Sequence, residues 1–536
     1  MNIQKKYESS YAGYIYEKPI TYWTSKETIT NILTRIDLSS PDSIQSGGMP
    51  IISDGNIVYA DTSDNHTAII ASSGMKKSLC CFAPLIRVLA KAEENIIITD
   101  CKGELYNRLS GFLKDQGYNI YCLDFRTMDK DAFNILSYPS YVYRNVDKDK
   151  GLSLLSDIVN ALAEDQKNHA KDPFWPATGA QWINATGGIM LDAYPKPEYI
   201  NIMNWSDFNV RSSAELIEDR LLDNMPDNTI KIALKQSCSS AENTFRSILI
   251  TASSFFSVFN QNPRLTAMLS NSTFSLENLT MPKTALFLIT DDTTSTADPI
   301  IGIIISQIQS YLIDAAYHSP KGKLNRRMNF VLDEFASIPV PNMDKALATH
   351  RSRNMRYYLC IQSLSLLKKR YGDPELLLPN CSSVMYLGST ELEILQQLEK
   401  KLGETNLTFD GKTRPLCSQA ELMDLKKTWH QKEAIYMNLS ENIRYCTILP
   451  SIEKYNIITT PPPTYTTKIS GVKTYSVSKF VSDVINEKTR PPFSTKKRTK
   501  PRRKKETGCS DEASDGKLEE DFNRLFRTLF NETETE

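Results

Sequence analysis

The chain has 536 residues with 63 basic and 63 acidic side chains, so its formal charge is zero and no global field draws it to nucleic acid. Affinity of that kind has to come from a local patch. At 40% apolar and 24% charged residues the composition is that of an ordinary globular protein, long enough for two or three domains with a sizeable core.

Residues 1–65 read as a lead-in, Tyr-rich at first, with a Gly47-Gly48 turn and strand signals at Pro50-Ile51-Ile52 and Ile57-Val58-Tyr59. Residues 66–150 then alternate strand and helix patterns, as a parallel sheet requires. Thr67-Ala68-Ile69-Ile70 is a short strand, followed by Ala71-Ser72-Ser73-Gly74-Met75-Lys76-Lys77-Ser78 and a helix that begins at Leu79. Against the phosphate-loop template G-x-x-x-x-G-K-[ST], Lys77 and Ser78 fall in place, while Ala71 and Lys76 stand at the two glycine positions. The glycines of the template let backbone N–H groups close on phosphates. A side chain held in a left-handed conformation costs about 1–2 kcal/mol, so two such faults weaken nucleotide binding by roughly one to three orders of magnitude. Ser73, Gly74, Lys77 and Ser78 are the nucleotide-binding candidates. The ten cysteines include no C-x-x-C pair and no secretory signal accompanies them, which points to free thiols in a reducing cytosol, with Cys80 and Cys81 packed as small hydrophobes. His66, just before the first strand, reads as structural.

Asn95–Asp100 is a second strand, ending in the polar elbow Cys101-Lys102-Gly103-Glu104, and Gly117–Arg126 carries the next, followed by Phe133-Asn134-Ile135-Leu136. Residues 151–246 shift to helical periodicity: Leu152, Leu155, Ile158 and Leu162 share one helix face, and Asp172-Pro173-Phe174-Trp175 starts another helix. That aromatic pair either packs into a core or contacts a ligand. Residues 247–470 resume the sheet, with Thr284–Ile289 leading into Asp291-Asp292. The most apolar stretch, Ile300–Ile313, is interrupted by Ser306, Gln307, Gln309 and Ser310 and is too short to span a bilayer, so it reads as a buried helix.

Phe330-Val331-Leu332-Asp333-Glu334-Phe335-Ala336 is an apolar strand ending in an acidic pair. Open α/β sheets bind ligands at the carboxyl ends of their strands. There an Asp can hold Mg²⁺ through water and a Glu can polarise an attacking water. Beyond it lie Ala346–Arg353 (ALATHRSR), Leu359-Cys360-Ile361-Gln362-Ser363, Tyr371-Gly372-Asp373, Asn380-Cys381 and Leu387-Gly388. Pro415–Asn456 adds a further unit in which Ser418 and Glu421 have capping-box spacing. Residues 471–536 form a tail with the basic run Lys496, Lys497, Arg498, Lys500, Arg502, Arg503, Lys504 and Lys505. Such a run is expected to be disordered and either simply solvated or in contact with DNA phosphates or anionic lipid. Leu518, Phe522, Leu525, Phe526, Leu529 and Phe530 carry a helical apolar stripe suited to docking.

In this order the blocks resemble the type IV coupling proteins of bacterial conjugation, P-loop ATPases that drive DNA into secretion channels. The resemblance covers roughly Gly47 to Asn456, and departs from the family at Cys101 and Ile135, where it has proline. It implies a RecA-like α/β core with a mostly parallel sheet, an inserted all-α domain and a disordered basic tail. It implies ATP and Mg²⁺ as cofactors, with Lys77 on the β/γ-phosphates, Ser78 and Asp333 on Mg²⁺, Glu334 activating water and Gln362 sensing the γ-phosphate. Arg351, with Arg353 as runner-up, would complete a neighbouring subunit's site in a homo- or hetero-hexamer. The partners implied are a relaxase with its single-stranded DNA and the type IV secretion channel. The location implied is cytoplasmic, at the inner face of the membrane; such proteins usually begin with a membrane anchor, whereas no transmembrane segment is read in this chain, and an anchor on another polypeptide or outside this reading frame stays open. Two activities stay open: an ATP-driven motor, which the Asp333-Glu334 pair favours, and a non-hydrolysing pseudo-ATPase adaptor, which the missing glycines favour.

Overall fold

The computed structural model describes residues 21–211, 222, 229–291, 293, 297–405, 413–455, 460–465, 469 and 471–485. The basic run and the terminal apolar stripe lie outside the described residues. Behind a short helix, Lys26–Ile32, come β1 (Thr34–Asp37), β2 (Met49–Asp54) and β3 (Ile57–Asp61), an antiparallel sheet in the order β1-β3-β2. The main sheet takes β4 (Thr67–Ala71), β5 (Asn95–Asp100), β6 (Asn119–Asp124), β7 (Thr284–Ile289), β8 (Met328–Leu332), β9 (Met355–Ile361) and β10 (Ser383–Gly388). A two-residue pair, β11 (Glu404–Thr405) and β12 (Arg414–Pro415), precedes the hairpin of β13 (Gln431–Asn438) and β14 (Ile443–Pro450). The order across the main sheet is β14-β13-β10-β4-β9-β8-β5-β7-β6, parallel from β10 to β6 and antiparallel at the β13–β14 edge.

Sequence explains which strands are central. Every residue of β5, β7, β8, β9 and β10 is buried, as expected of strands covered on both faces, whereas the edge strand β14 mixes buried with exposed positions. Ser418 and Glu421 form the expected capping box on the helix Gln419–Met423. The apolar stretch after β7 is longer than its hydropathy suggested. The helix runs Asp298–His318, 21 residues, long and apolar enough to cross a membrane, but 67% of its apolar window is buried inside the protein. Its glutamines are bonded within the core, Gln307 Nε2 to Ile135 O at 2.7 Å and Gln309 Nε2 to the Tyr357 hydroxyl at 3.1 Å.

Between β6 and β7 the chain is helical, with Lys148–His169, Phe174–Ala193 and Glu242–Ser254 as its long members. Leu155 and Ile158 are fully buried on the first of these, and Trp182 and Trp205 on their neighbours. The helices approach closely because Gly187 lacks a side chain: a Cβ there would stand 2.9 Å from both Leu155 Cδ2 and Trp205 Cζ2. The Phe174-Trp175 pair divides, Trp175 packing on the core and Phe174 remaining 48% exposed. After the hairpin, Thr460–Tyr465 crosses the helix Glu104–Asp115, where a Cβ on Gly111 would lie 2.3 Å from Thr460 O. Tyr475 then stacks on Tyr199, ring centroids 5.0 Å apart, and tethers the last described helix, Val477–Ile485, to the helical region.

Candidate nucleotide-binding site

Four adjacent strands, β4, β9, β8 and β5, deliver their carboxyl ends to one place, where open parallel sheets bind ligands. β4 ends at Ala71, and its loop is held to the end of β10 by Ser72 N donating to Gly388 O at 2.9 Å. The loop enters a π-helical turn, Ser78–Phe82, that continues as the helix Ala83–Lys91. Cys80, Cys81 and Phe82 face inward and are buried, and burial pushes the Cys80 thiol up to about 11, so it packs as a neutral apolar group.

The two missing glycines are not equivalent. Lys76 adopts the left-handed conformation its template glycine would take, with φ +58°, beside Gly74 at φ +78°. Ala71 does not: it is the last, fully buried residue of β4 and has no positive φ. The expectation of two strained positions is therefore corrected to one. Strand pairing keeps Ala71 extended, and the chain turns only after Ser72.

Asp333 follows β8 directly, and its carbonyl accepts a hydrogen bond from Thr99 Oγ1 of β5 at 2.8 Å. Lys77 Nζ lies 2.7 Å from Asp333 Oδ1 and 3.5 Å from Glu334 Oε1. Gln362, the residue after β9, donates from Nε2 to the same Glu334 Oε1 at 2.9 Å. Glu334 itself is left-handed, φ +55°, and its N–H donates to Asp333 Oδ1 at 2.9 Å. A non-glycine residue in that region costs about 1–2 kcal/mol, and such strain concentrates at functional positions. Here it turns Glu334 back toward Lys77 and Gln362.

Burial pushes the Asp333 carboxyl above its ordinary range, although Lys77 pulls it down. Burial also opposes ionisation of the more exposed Glu334, but hydrogen bonds from Cys101 and Gln362 and the charge of Lys77 outweigh it and hold Glu334 below the usual carboxylate range. Lys77 is held firmly charged: burial opposes this, and the two acids prevail. Asp333 and Ser78 offer a carboxylate and a hydroxyl, hard oxygens of the kind Mg²⁺ takes together with phosphates. These residue types fit that ion.

Two neighbours, both at the elbow read from the sequence, carry no role in the site in that reading. Asp100, at the end of β5, is buried and accepts from Tyr106 N at 2.8 Å; burial, together with the charge of Asp333, pushes it up to about 6. Cys101, where the family has proline, places its thiol 3.9 Å from Asp333 Oδ2. The position of the elbow after an apolar strand was the available signal. Its adjacency to β8 depends on sheet order, which periodicity does not carry.

The remaining candidates take no part in these contacts. Ser73 and Gly74 are exposed, and Gly74 O accepts from Lys427 Nζ at 3.3 Å. Arg351 is exposed on the 3₁₀ turn His350–Arg353 before β9, at the opposite edge of the sheet from Gln362. Arg353 is held by the carbonyl of Gly322 at 2.7 Å. His66 is structural: it is buried, with Nε2 on Leu347 O at 3.1 Å and Nδ1 accepting from Tyr357 N at 3.2 Å.

No curated protein matches the chain. Among solved structures, the bacterial conjugative coupling protein TrwBΔN70, in its trigonal form with sulphate, is 15% identical with a TM-score of 0.60, covering 82% of this chain and 95% of that one. The plasmid coupling protein TrwB in complex with ADP and Mg²⁺ is 14% identical with a TM-score of 0.59, covering 82% and 95%. These likenesses identify the fold. The family described as type IV secretory system conjugative DNA transfer matches residues 22–498, so this chain, with its acidic pair, elbow and phosphate loop in that family's order, belongs to it.

Proposed function

We propose that the chain is a coupling protein-like subunit that binds Mg·ATP at the carboxyl edge of the main sheet and uses it to move relaxase-bound single-stranded DNA toward a conjugative transfer channel. The observation that carries this reading is the linked contact of four side chains: Lys77 reaches both Asp333 and Glu334, and Gln362 donates to Glu334. TrwB, whose fold it shares, is known in complex with ADP and Mg²⁺ and with the analogue ADPNP, which supports the same ligand class here.

Mg·ATP, when bound, supplies the phosphoanhydride whose cleavage drives transport. Lys77 binds the β/γ-phosphates, Ser78 and Asp333 hold the ion, and Glu334, kept ionised, accepts a proton from water. Gln362 fixes the Glu334 carboxylate and would sense the γ-phosphate. Residues 66–150 and 247–470 make the nucleotide-binding domain in this reading, with 151–246 inserted for cargo. The subunits form a homo- or hetero-hexamer at the inner face of the membrane, and the basic run 496–505 contacts DNA. The second reading, a non-hydrolysing adaptor, draws on the left-handed Lys76 at a glycine position.

Titration with a fluorescent ATP analogue and Mg²⁺ tests the assignment. Saturable binding that Lys77→Ala abolishes supports it, and absence of binding in the wild type overturns it. Phosphate release stimulated by single-stranded DNA and lost in Glu334→Gln selects the motor. Binding without release selects the adaptor.

A further inference from the structure

The residue standing where the loop glycine belongs does not point its charge at Asp333. Lys76 Nζ donates to the backbone carbonyl of Trp429 at 3.3 Å and lies over the Trp429 ring, 4.8 Å from its centroid. From the same turn Lys427 Nζ reaches back to Gly74 O at 3.3 Å. Two lysines thus tie the turn before β13 to the phosphate loop at two points.

The turn is itself braced. Thr428 N donates to Gln431 O at 2.9 Å, Glu433 N to Lys426 O at 2.9 Å, and Ser451 N to His430 O at 2.7 Å. The buried Lys432 donates to Leu425 O at 2.8 Å. At its tip stands Trp429, 84% exposed, the most exposed large apolar side chain among the described residues. A wide indole held in water by a rigid turn gains nothing from burial within this chain. One face of it carries the Lys76 ammonium and the other is open.

We propose that Trp429 is the stacking platform for the nucleobase of a purine nucleoside triphosphate bound in the phosphate loop; this rests on the nucleotide-site reading above. The Lys76 side chain spans the distance from the loop to the ring, and a ribose with its base is of comparable length. Stacking needs no base-edge donors, and a purine covers more of the indole than a pyrimidine does. Lys76 then serves as the strut that sets the platform at the mouth of the site, which gives a physical reason for a lysine at a position that favours glycine.

The test uses the full chain, with Mg·ATP and Mg·tripolyphosphate as ligands for wild type, Trp429→Ala and Trp429→Phe. Trp429 is exposed, so neither variant disturbs a core. Trp429→Ala is expected to weaken ATP binding by about fivefold to a hundredfold, the range for loss of one stacked base, and to leave tripolyphosphate binding unchanged. Trp429→Phe retains most of the affinity but loses the tryptophan quench that ATP causes in the wild type. Equal weakening of both ligands, or quenching by single-stranded oligonucleotide and not by ATP, overturns the platform. If the wild type binds both ligands and Trp429→Ala matches it, the platform fails while the nucleotide site stands. If the wild type binds neither, both readings fall.

Discussion

Lys77 and Asp333 meet across β9, Nζ to Oδ1 at 2.7 Å, and each is the other's counter-ion at the carboxyl edge of the sheet. Asp333 is 4% exposed, so removing its partner leaves a buried charge without compensation. An anion that takes Lys77 alone, or a cation that takes Asp333 alone, therefore strands the other residue. A ligand carrying phosphates and a divalent cation together satisfies both in one exchange.

The first prediction follows from that exchange. Asp333→Asn releases Lys77 from its ion pair, so ATP without Mg²⁺ should bind the variant more tightly than it binds the wild type. The enhancement of binding by Mg²⁺ should disappear with the carboxylate. Titrations in Mg²⁺ and in chelator compare the four affinities, and a wild type bound equally well with and without the ion would sink the argument.

A second prediction separates the two template positions. Lys76→Gly relieves a left-handed side chain worth about 1–2 kcal/mol but removes an exposed cation–π contact worth about 0.5 kcal/mol, so the fold should gain roughly 0.5–1.5 kcal/mol. Ala71→Gly puts glycine into a buried strand end and should cost roughly 0.5–1 kcal/mol. Urea denaturation of both variants reads the signs directly. Equal signs would mean that the loop backbone is not held as described.

These two residues also show what was legible in the sequence. The acidic pair and Lys77-Ser78 stood out because chemistry-bearing residues punctuate apolar strands, while the elbow and Gln362 drew notice through the family resemblance. The capping box of Ser418 and Glu421 and the inward face of Leu155 and Ile158 depend only on local spacing, and both formed. Sheet order is non-local. The adjacency of β5 to β8, which sets Cys101 beside Asp333, left no trace in periodicity, nor did the antiparallel β13–β14 edge that carries Trp429 to the loop. Ala71 and Lys76 looked alike against the template because a template has no dihedral angles.

The opposite edge of the sheet carries a buried charge cluster with a stability consequence. Arg356, 1% exposed, donates to Ser63 O at 2.7 Å and Gly47 O at 2.9 Å and lies 3.3 Å from Glu94 Oε2. Glu94 also accepts from Gly47 N at 3.1 Å and Asn329 Nδ2 at 2.8 Å, joining the lead-in to the main sheet. Arg356→Met should cost about 3 kcal/mol, the lower end for breaking a buried pair, since it leaves Glu94 with Arg327, 3.7 Å away, as its remaining cation. Adding Glu94→Gln should recover part of that loss. A double-mutant cycle by denaturation measures the coupling, and strict additivity would dissolve the network.

Acid should loosen the same edge. Burial holds His66 and His350 at about 4, below the ordinary 6.5, with His350, Arg351 and Arg356 adding to the effect on His66. The sign is fixed by the unfolded chain: between pH 6.5 and 4 it takes up protons that the folded imidazoles refuse. Their stabilising contribution is complete above pH 6.5 and falls as pH drops toward 4, by about 1.4 kcal/mol per pH unit for each histidine. Protonating His66 Nδ1 also breaks its hydrogen bond from Tyr357 N. Denaturation across this pH range should show the decline, and His350→Gln should reduce its slope by one proton. An unchanged slope would assign the acid sensitivity to the carboxyl groups.

Arg351 gives the last prediction. It sits on the turn before β9, while Glu334 and Gln362 gather at the far end of that seven-residue strand, about 20 Å away at the usual rise. It cannot reach its own subunit's site, so any catalytic role has to be exercised on a neighbour. If assembled subunits place Arg351 beside the γ-phosphate of the next subunit, Arg351→Ala should leave nucleotide binding nearly intact and abolish phosphate release. Mixing Arg351→Ala with Glu334→Gln subunits should restore part of the activity, because one kind of interface then joins an intact Glu334 to an intact Arg351. Two individually inactive variants that stay inactive when mixed, in a wild type that assembles and hydrolyses, would leave Arg351 as a surface residue. A wild type that stays monomeric at high concentration with nucleotide and DNA present would remove both the arginine's role and the motor.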